Sequence, residues 1–168
     1  MEWIYVLQLE NGKYFIDCTD TVQYDIYMHI KGHAAVRTKK HKFVKVTHVF
    51  RGHRIDLFKY ILLFMDMYGM QAVRGGCFLL ENMTAENENT ICNILSFKDY
   101  SCFFCGLTTH LVNVCPSRLN SWHFSNCVAE FIDAATGLPK NYNLFEHRVG
   151  FLTEEEARHN NQMMGLSD

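Results

Sequence analysis

Four metal-ligating side chains at fixed spacing, Cys102-x2-Cys105-x4-His110-x4-Cys115, constrain this chain more than any other feature in it. An ion that takes sulfur and nitrogen ligands tetrahedrally makes the short loops between those ligands wrap a single centre, whatever the rest of the chain does. Gly106, directly after the second cysteine, permits the sharp turn that aims backbone amides at the sulfurs. The donor set predicts one Zn²⁺. Three thiolates and an imidazole fill its coordination sphere and leave no open position, so the ion is expected to be structural and not catalytic. Three thiolates also leave the centre with net negative charge.

The chain has seven cysteines, and the four outside this pattern (Cys18, Cys77, Cys92, Cys127) show no metal spacing and no C-x-x-C. Met1-Glu2-Trp3 lacks the basic start of a secretory signal, and the longest apolar run, Tyr60 to Met65, is far too short to span a bilayer. The expectation is an intracellular, reducing setting (cytoplasm or nucleus), with thiols on metal or in the core and no membrane partner.

The net charge of −2 points to no particular partner, but its distribution does. From Lys31 to Lys59 there are nine Lys/Arg against one acid, Asp56, whereas from Tyr60 onward there are six basic residues against twelve acids. A basic stretch of this kind is the usual electrostatic footprint of phosphate binding. Its candidate contacts are Arg37, Lys39, Lys40, Lys42, Lys45, Arg51 and Arg54. The alternative is a solvated face balanced by acids elsewhere.

Hydrophobic residues make up 48% of the chain, enough for a packed core. Trp3 to Leu9 reads as a strand, Asn11-Gly12 as a hairpin turn, and Lys13 to Cys18 as the returning strand. Thr19 or Asp20 is suited to cap a helix running to about Ile30, which Gly32 stops. Phe43 to Phe50 reads as a third strand, and Ile55 to Tyr68 as a mostly buried helix ending at Gly69. Arg74-Gly75-Gly76 reads as a turn before a short extended piece, Cys77 to Leu80. Thr84 is a good N-cap for a helix to about Leu95. Beyond the metal segment, Trp122 to Ala135 reads as a helix, and Thr153-Glu154-Glu155-Glu156 as a capping box opening a last one. The expected class is α+β: a small domain over 1–97 with a three-stranded, mostly antiparallel sheet and flanking helices, a zinc module over 98–116, and a helical extension over 117–168.

The metal segment resembles the CCHC zinc knuckles of retroviral nucleocapsid and cellular RNA-binding proteins. In those, an aromatic after the first cysteine stacks on a base, and Phe103 matches it. No Lys or Arg lies between Cys102 and Cys115, and Thr109 stands where the family usually has Gly. An apolar knuckle (Phe103, Phe104, Leu107, Leu111, Val112, Val114) suits protein docking or packing onto a neighbouring helix better than phosphate binding.

The order of elements before it, with Trp3-Ile4-Tyr5-Val6-Leu7-Gln8-Leu9, Lys13-Tyr14-Phe15-Ile16-Asp17 and the tract Tyr68-Gly69 to Val73-Arg74-Gly75-Gly76, resembles GIY-YIG nucleases of large DNA viruses and some protists. The likeness covers about Glu2 to Pro116. It implies that active members cut a phosphodiester with one divalent metal. A first-motif tyrosine helps activate water, an arginine on the first helix stabilises the phosphate, and a glutamate on a later helix holds the metal. Tyr5 matches the first tyrosine and His29 the helix histidine. The second motif's tyrosine falls on Phe15, its glycine on Asp17, the arginine on Asp25, and the metal ligand on Asp66. Asp in place of Arg inverts the charge where an anionic transition state needs a cation. The histidines of this region, His29, His33, His41, His48 and His53, lack repeated metal spacing and read as surface or hydrogen-bonded side chains.

The resulting expectation is a degenerate, non-catalytic nuclease fold that binds DNA or RNA through 31–59. One alternative is an assembly protein, such as a minor component of a virus particle, with protein contacts through the knuckle and the extension. A more distant one is an active metal-dependent endonuclease.

Overall fold

The computed structural model describes residues 2–118 and 126–146. The expected helix at Thr153, and Trp122 itself, lie outside them. A four-stranded mixed sheet forms the centre, in the order β3-β1-β2-β4, from β1 (Trp3–Leu9), β2 (Lys13–Thr19), β3 (Phe43–Arg51) and β4 (Val73–Gly75). β1 pairs antiparallel with both β2 and β3. The β1–β2 turn closes through Lys13 N–H to the Glu10 carbonyl. Its central residues, Asn11 (φ 59°) and Gly12 (φ 64°), take the left-handed conformation that an Asn-Gly pair tolerates best.

The sheet has four strands and not the three expected, because the Arg-Gly tract that reads as a turn is itself a strand. β4 runs parallel to β2, with Phe15 opposite Arg74 and Ile16 opposite Gly75. A three-residue strand carries no usable periodicity, and its partner lies far away in sequence. Gly75 is required there. Its φ is 142°, and a Cβ would stand 1.7 Å from the Ile16 carbonyl oxygen.

Successive residues of β1 and β2 point to opposite faces, so two apolar cores form. Ile4, Val6, Ile16 and Phe50 pack with Tyr60, Ile61 and Phe64 of α3 (Leu57–Tyr68), with Ile91 of α4 (Ala85–Ser96), and with Cys102, Phe104 and Cys115. On the other face Tyr5, Leu7, Leu9, Phe15 and Val49 pack with Val22 and Ile26 of α1 (Val22–Ile30) and with Ile132. The metal segment and part of the extension therefore share the two cores of the sheet. Thr84 caps α4 as expected, its hydroxyl accepting from Asn87 N–H at 3.2 Å. A further short helix, α2 (Val36–Lys40), follows α1 and was not anticipated. Among the described residues no helix is long and apolar enough to cross a membrane.

The long helix expected from Trp122 to Ala135 is, among the described residues, a single turn, α5 (Val128–Phe131). The chain leaves it at Ile132, which is extended and bridges to Pro139. The Asp133 carboxylate then takes the N–H groups of Ala135 (3.0 Å) and Thr136 (2.9 Å), the local competition by which Asp ends helices. This segment lies along β3. Val49 N–H donates to Asn126 Oδ1 (3.2 Å), the Asn126 amide donates to the Thr47 carbonyl (3.2 Å), and Cys127 N–H donates to the Val49 carbonyl (2.6 Å). Phe131 meets Trp3 edge-on, with ring centroids 4.9 Å apart.

Gly75→Ala is expected to be strongly destabilising, since backbone, not a movable side chain, blocks the added methyl. Gly137→Ala, at φ 68° with nothing within 4 Å of the new Cβ, should cost only the left-handed penalty of about 1–2 kcal/mol. Urea unfolding midpoints of the two variants measure the contrast.

Candidate metal centre and the cleft beneath the first helix

Cys102, Cys105, His110 and Cys115 come together as their spacing predicts, with ligand atoms all within 4.8 Å of one another. A tetrahedron with bonds of about 2.0–2.3 Å has edges of roughly 3.3–3.8 Å, so the cluster could close on one metal ion such as zinc with little movement. Cys105 Sγ already lies 3.3 Å from His110 Nε2, and His110 Nδ1 is 3.1 Å from the Thr109 hydroxyl, a contact that orients the ring. Gly106 takes φ 80°, and its N–H reaches the Cys102 carbonyl at 2.7 Å, closing the turn between the first two cysteines. Burial pushes the Cys102 thiol up. Burial acts the same way on Cys115, but hydrogen bonds from the Arg118 backbone and with His110, Cys102 and Cys105 outweigh it and bring that thiol down to about 7. A thiol that ionises this readily is suited to ligation.

The inner side of the metal segment is committed to the fold. Phe104 is buried with its ring 5.2 Å from Tyr60, and Phe103 is half-buried against the same core. Of the two roles the sequence left open for its apolar residues, packing onto the neighbouring helix is the one these phenylalanines take. Leu107, Leu111 and Val114 face outward.

On the opposite face of the sheet, five of the six positions singled out by the nuclease likeness line one cavity of about 340 Å³: Tyr5, Phe15, Asp17, Asp25 and His29. Asp66 is not among them. It sits on α3, across the sheet, and is ion-paired with Lys98 at 2.7 Å. Within the cavity wall, His29 Nε2 is 2.8 Å from the Tyr5 hydroxyl and His29 Nδ1 is 3.0 Å from the Thr38 hydroxyl. Thr38 in turn donates to the Ala35 carbonyl at 3.0 Å. That direction makes Thr38 the acceptor for His29 Nδ1–H, leaves Nε2 as an acceptor, and assigns the Tyr5 proton to His29. Burial lowers His29 to about 4. Burial first, then Asp17 and Asp25, push the Tyr5 phenol well above its usual range, so it stays protonated. Burial also pushes the Asp17 carboxyl up.

Of the expected phosphate contacts, Lys39, Lys40, Lys42, Lys45, Arg51 and Arg54 are exposed. Arg37 is not: it is 1% exposed, paired with Glu81 at 2.9 Å, and donates to the carbonyls of Gln71 (2.8 Å) and Ala72 (2.9 Å). It is a structural residue, closed to a phosphate. Arg51 lies over the Trp3 ring at 5.4 Å, and Arg54 donates to the Cys18 carbonyl at 2.9 Å while facing Glu2. Sequence reasoning missed Thr38, which orients His29, and Glu81, which gathers Arg37, Lys40 and His41. Neither stands in a motif, and both act through contacts distant in sequence.

Purified protein is expected to carry about one zinc per chain by elemental analysis. Cys105→Ser should lose it and leave the segment from Asp99 to Pro116 open to thiol alkylation and proteolysis. Zinc-free protein with rapidly alkylated Cys102 and Cys115 would refute this.

His29 sets a second expectation. The unfolded imidazole titrates near 6.5 and the folded one near 4, so between these values the unfolded chain binds a proton that the folded chain refuses. Stability should therefore fall as pH drops from about 6.5 to 4, by up to about 3 kcal/mol from this residue. Unfolding curves across that window should be flatter for His29→Gln, though that variant is less stable at neutral pH.

Compared with family models, curated proteins and solved structures, the chain matches none.

Proposed function

We propose that this protein is a non-catalytic nucleic-acid-binding protein on a GIY-YIG-like fold, with a structural zinc knuckle as a packed appendage. The observation that carries the reading is the exposure of Lys39, Lys40, Lys42 and Lys45, four lysines within seven residues along α2 and the start of β3. Lys40 keeps 60% of its side-chain surface even though Glu81 lies 3.5 Å away. Lysines held at one edge of a rigid sheet can neutralise consecutive phosphates, and contacts of this kind position a backbone without reading its bases.

The cleft's chemistry supports the non-catalytic reading. A phosphodiester entering it meets Asp17 and Asp25 where cleavage requires a cation, and a buried Tyr5 whose proton is committed to His29. Loss of one good donor to a developing oxyanion costs about 3–4 kcal/mol, and here like charge is added.

A second reading has an observation of its own. Leu107 (55% exposed), Leu111 and Val114 are exposed on the metal segment, as are Phe97 and Tyr100 just before it in sequence. Such a surface suits a protein partner in an assembly, including a virus particle.

A salt titration of labelled duplex DNA separates the two. Three or four phosphate contacts give a log–log slope of about −3 to −4. The double reversal Lys39→Glu/Lys40→Glu should weaken binding to all sequences alike. Binding that is absent, or indifferent to the reversal, favours the assembly reading, which Leu111→Glu would then disrupt in a pull-down. In either case purified protein with Mg²⁺ or Mn²⁺ is expected to leave plasmid and single-stranded DNA uncut. Cleavage that Tyr5→Phe abolishes would overturn this.

A further inference from the structure

We propose that the cleft beneath α1 is a binding site for an organic cation, a guanidinium or primary ammonium carried on an alkyl stem. The inference is independent of the nucleic-acid reading and concerns the opposite charge. It rests on the direction of the hydrogen bonds around the cavity. Thr38 gives its proton to Ala35, His29 gives its Nδ1 proton to Thr38, and Tyr5 gives its proton to His29. The chain of donors runs away from the cavity, and what Tyr5 presents to it is an oxygen lone pair.

The two carboxylates add acceptors of the same sense. Asp17 uses one oxygen on the Cys18 N–H at 2.8 Å, and among the described residues no cation is ion-paired with Asp17 or Asp25. Arg54 lines the adjoining cleft of about 440 Å³, which shares Asp17 and Leu79 with the first, but its guanidinium is held by the Cys18 carbonyl and Glu2. Apart from the Cys18 N–H that Asp17 takes, and the charge of Arg54 acting on Asp17 from the adjoining cleft, the half-buried polar groups of Tyr5, Asp17 and Asp25 face the cavity as acceptors. A buried carboxylate is costly unless a cation meets it. The remaining wall is apolar, with Phe15, Met28, Ala35 and Leu79, and is suited to an alkyl stem. That wall distinguishes an organic cation from a hydrated divalent metal, which prefers oxygen on most sides. The volume of about 340 Å³ accommodates an arginine- or lysine-sized group.

The same chemistry could be supplied by a free polyamine or by the side chain of a partner protein. Agmatine and a capped Gly-Arg-Gly peptide, titrated into the zinc-loaded full chain and followed by amide NMR shifts, distinguish these sources. Saturable binding of either, with shifts at Asp17, Asp25 and Ala35, is expected. Asp25→Asn and Asp17→Asn should each weaken it at least tenfold, and Lys39→Glu/Lys40→Glu should leave it unchanged. Asparagine at 17 keeps the acceptor for Cys18 N–H; should that variant fail to fold, Asp25→Asn, on the half-exposed side of α1, decides alone. Agmatine binding without the peptide identifies a free amine; peptide binding of equal or greater strength identifies a protein side chain. Lack of saturation by both probes overturns the proposal. So does binding indifferent to the Asp25→Asn change, or a cleft that responds to Mg²⁺ or inorganic phosphate in place of the organic cation.

Discussion

Two arginines buried side by side decide how this fold is held together. Arg74 is 0% exposed, and its guanidinium is solvated almost wholly by carbonyls: Met70 and Val73 at Nη1, Leu80 and Glu81 at Nε, and Glu81 again at Nη2, with the Gln71 side-chain oxygen alongside. Arg37 takes the Glu81 carboxylate and two further carbonyls of the same loop. Burial, and then the neighbouring Arg37, lower the Arg74 pKa, so each carbonyl is needed to keep the charge inside. Burial works against an ionised Glu81, but Arg37, His41 and Lys40 bring it down to about 2. The loop from Met70 to Glu81 is therefore ordered by the charges it surrounds. β4 lies within this stretch and pairs with β2 from there.

That constraint explains what was legible in the sequence and what was not. The first two strands, α3 and α4 were readable because apolar periodicity, an Asn-Gly turn and a Thr cap are local signals. The cluster of Cys102, Cys105, His110 and Cys115 was readable because the coordination chemistry of such a donor set fixes its spacing. β4 was not, since a parallel strand of three residues is defined by a partner and by Arg74, neither of which leaves a local pattern. Arg37 reads as a surface cation because it stands among lysines, while Glu81 and the carbonyls of Gln71 and Ala72, all distant in sequence, draw it inward. Tyr5, Phe15, Asp17, Asp25 and His29 line one cavity because β1, β2 and α1 carry them to one face of the sheet, whereas Asp66 stands on α3 at the other face, paired with Lys98.

α2 links the two surfaces that carry the functional readings. Arg37 and Thr38 turn inward, one to the Glu81 loop and the other to His29 at the cleft wall, while Lys39 and Lys40 project outward. Acceptors thus face one side of this five-residue helix and exposed lysines the other, so a cation and a phosphate would each be drawn to a different side.

The segment from Asn126 to Glu146 has a bearing on how the sheet is kept from its neighbours. It satisfies backbone groups of β3 at Thr47 and Val49 and closes the second core with Ile132. Lifted away, it would leave a paired sheet with one raw edge and one unroofed core, the condition in which strands recruit neighbours from other chains. A stretch with little regular structure of its own thus guards the outermost long strand against pairing with another copy.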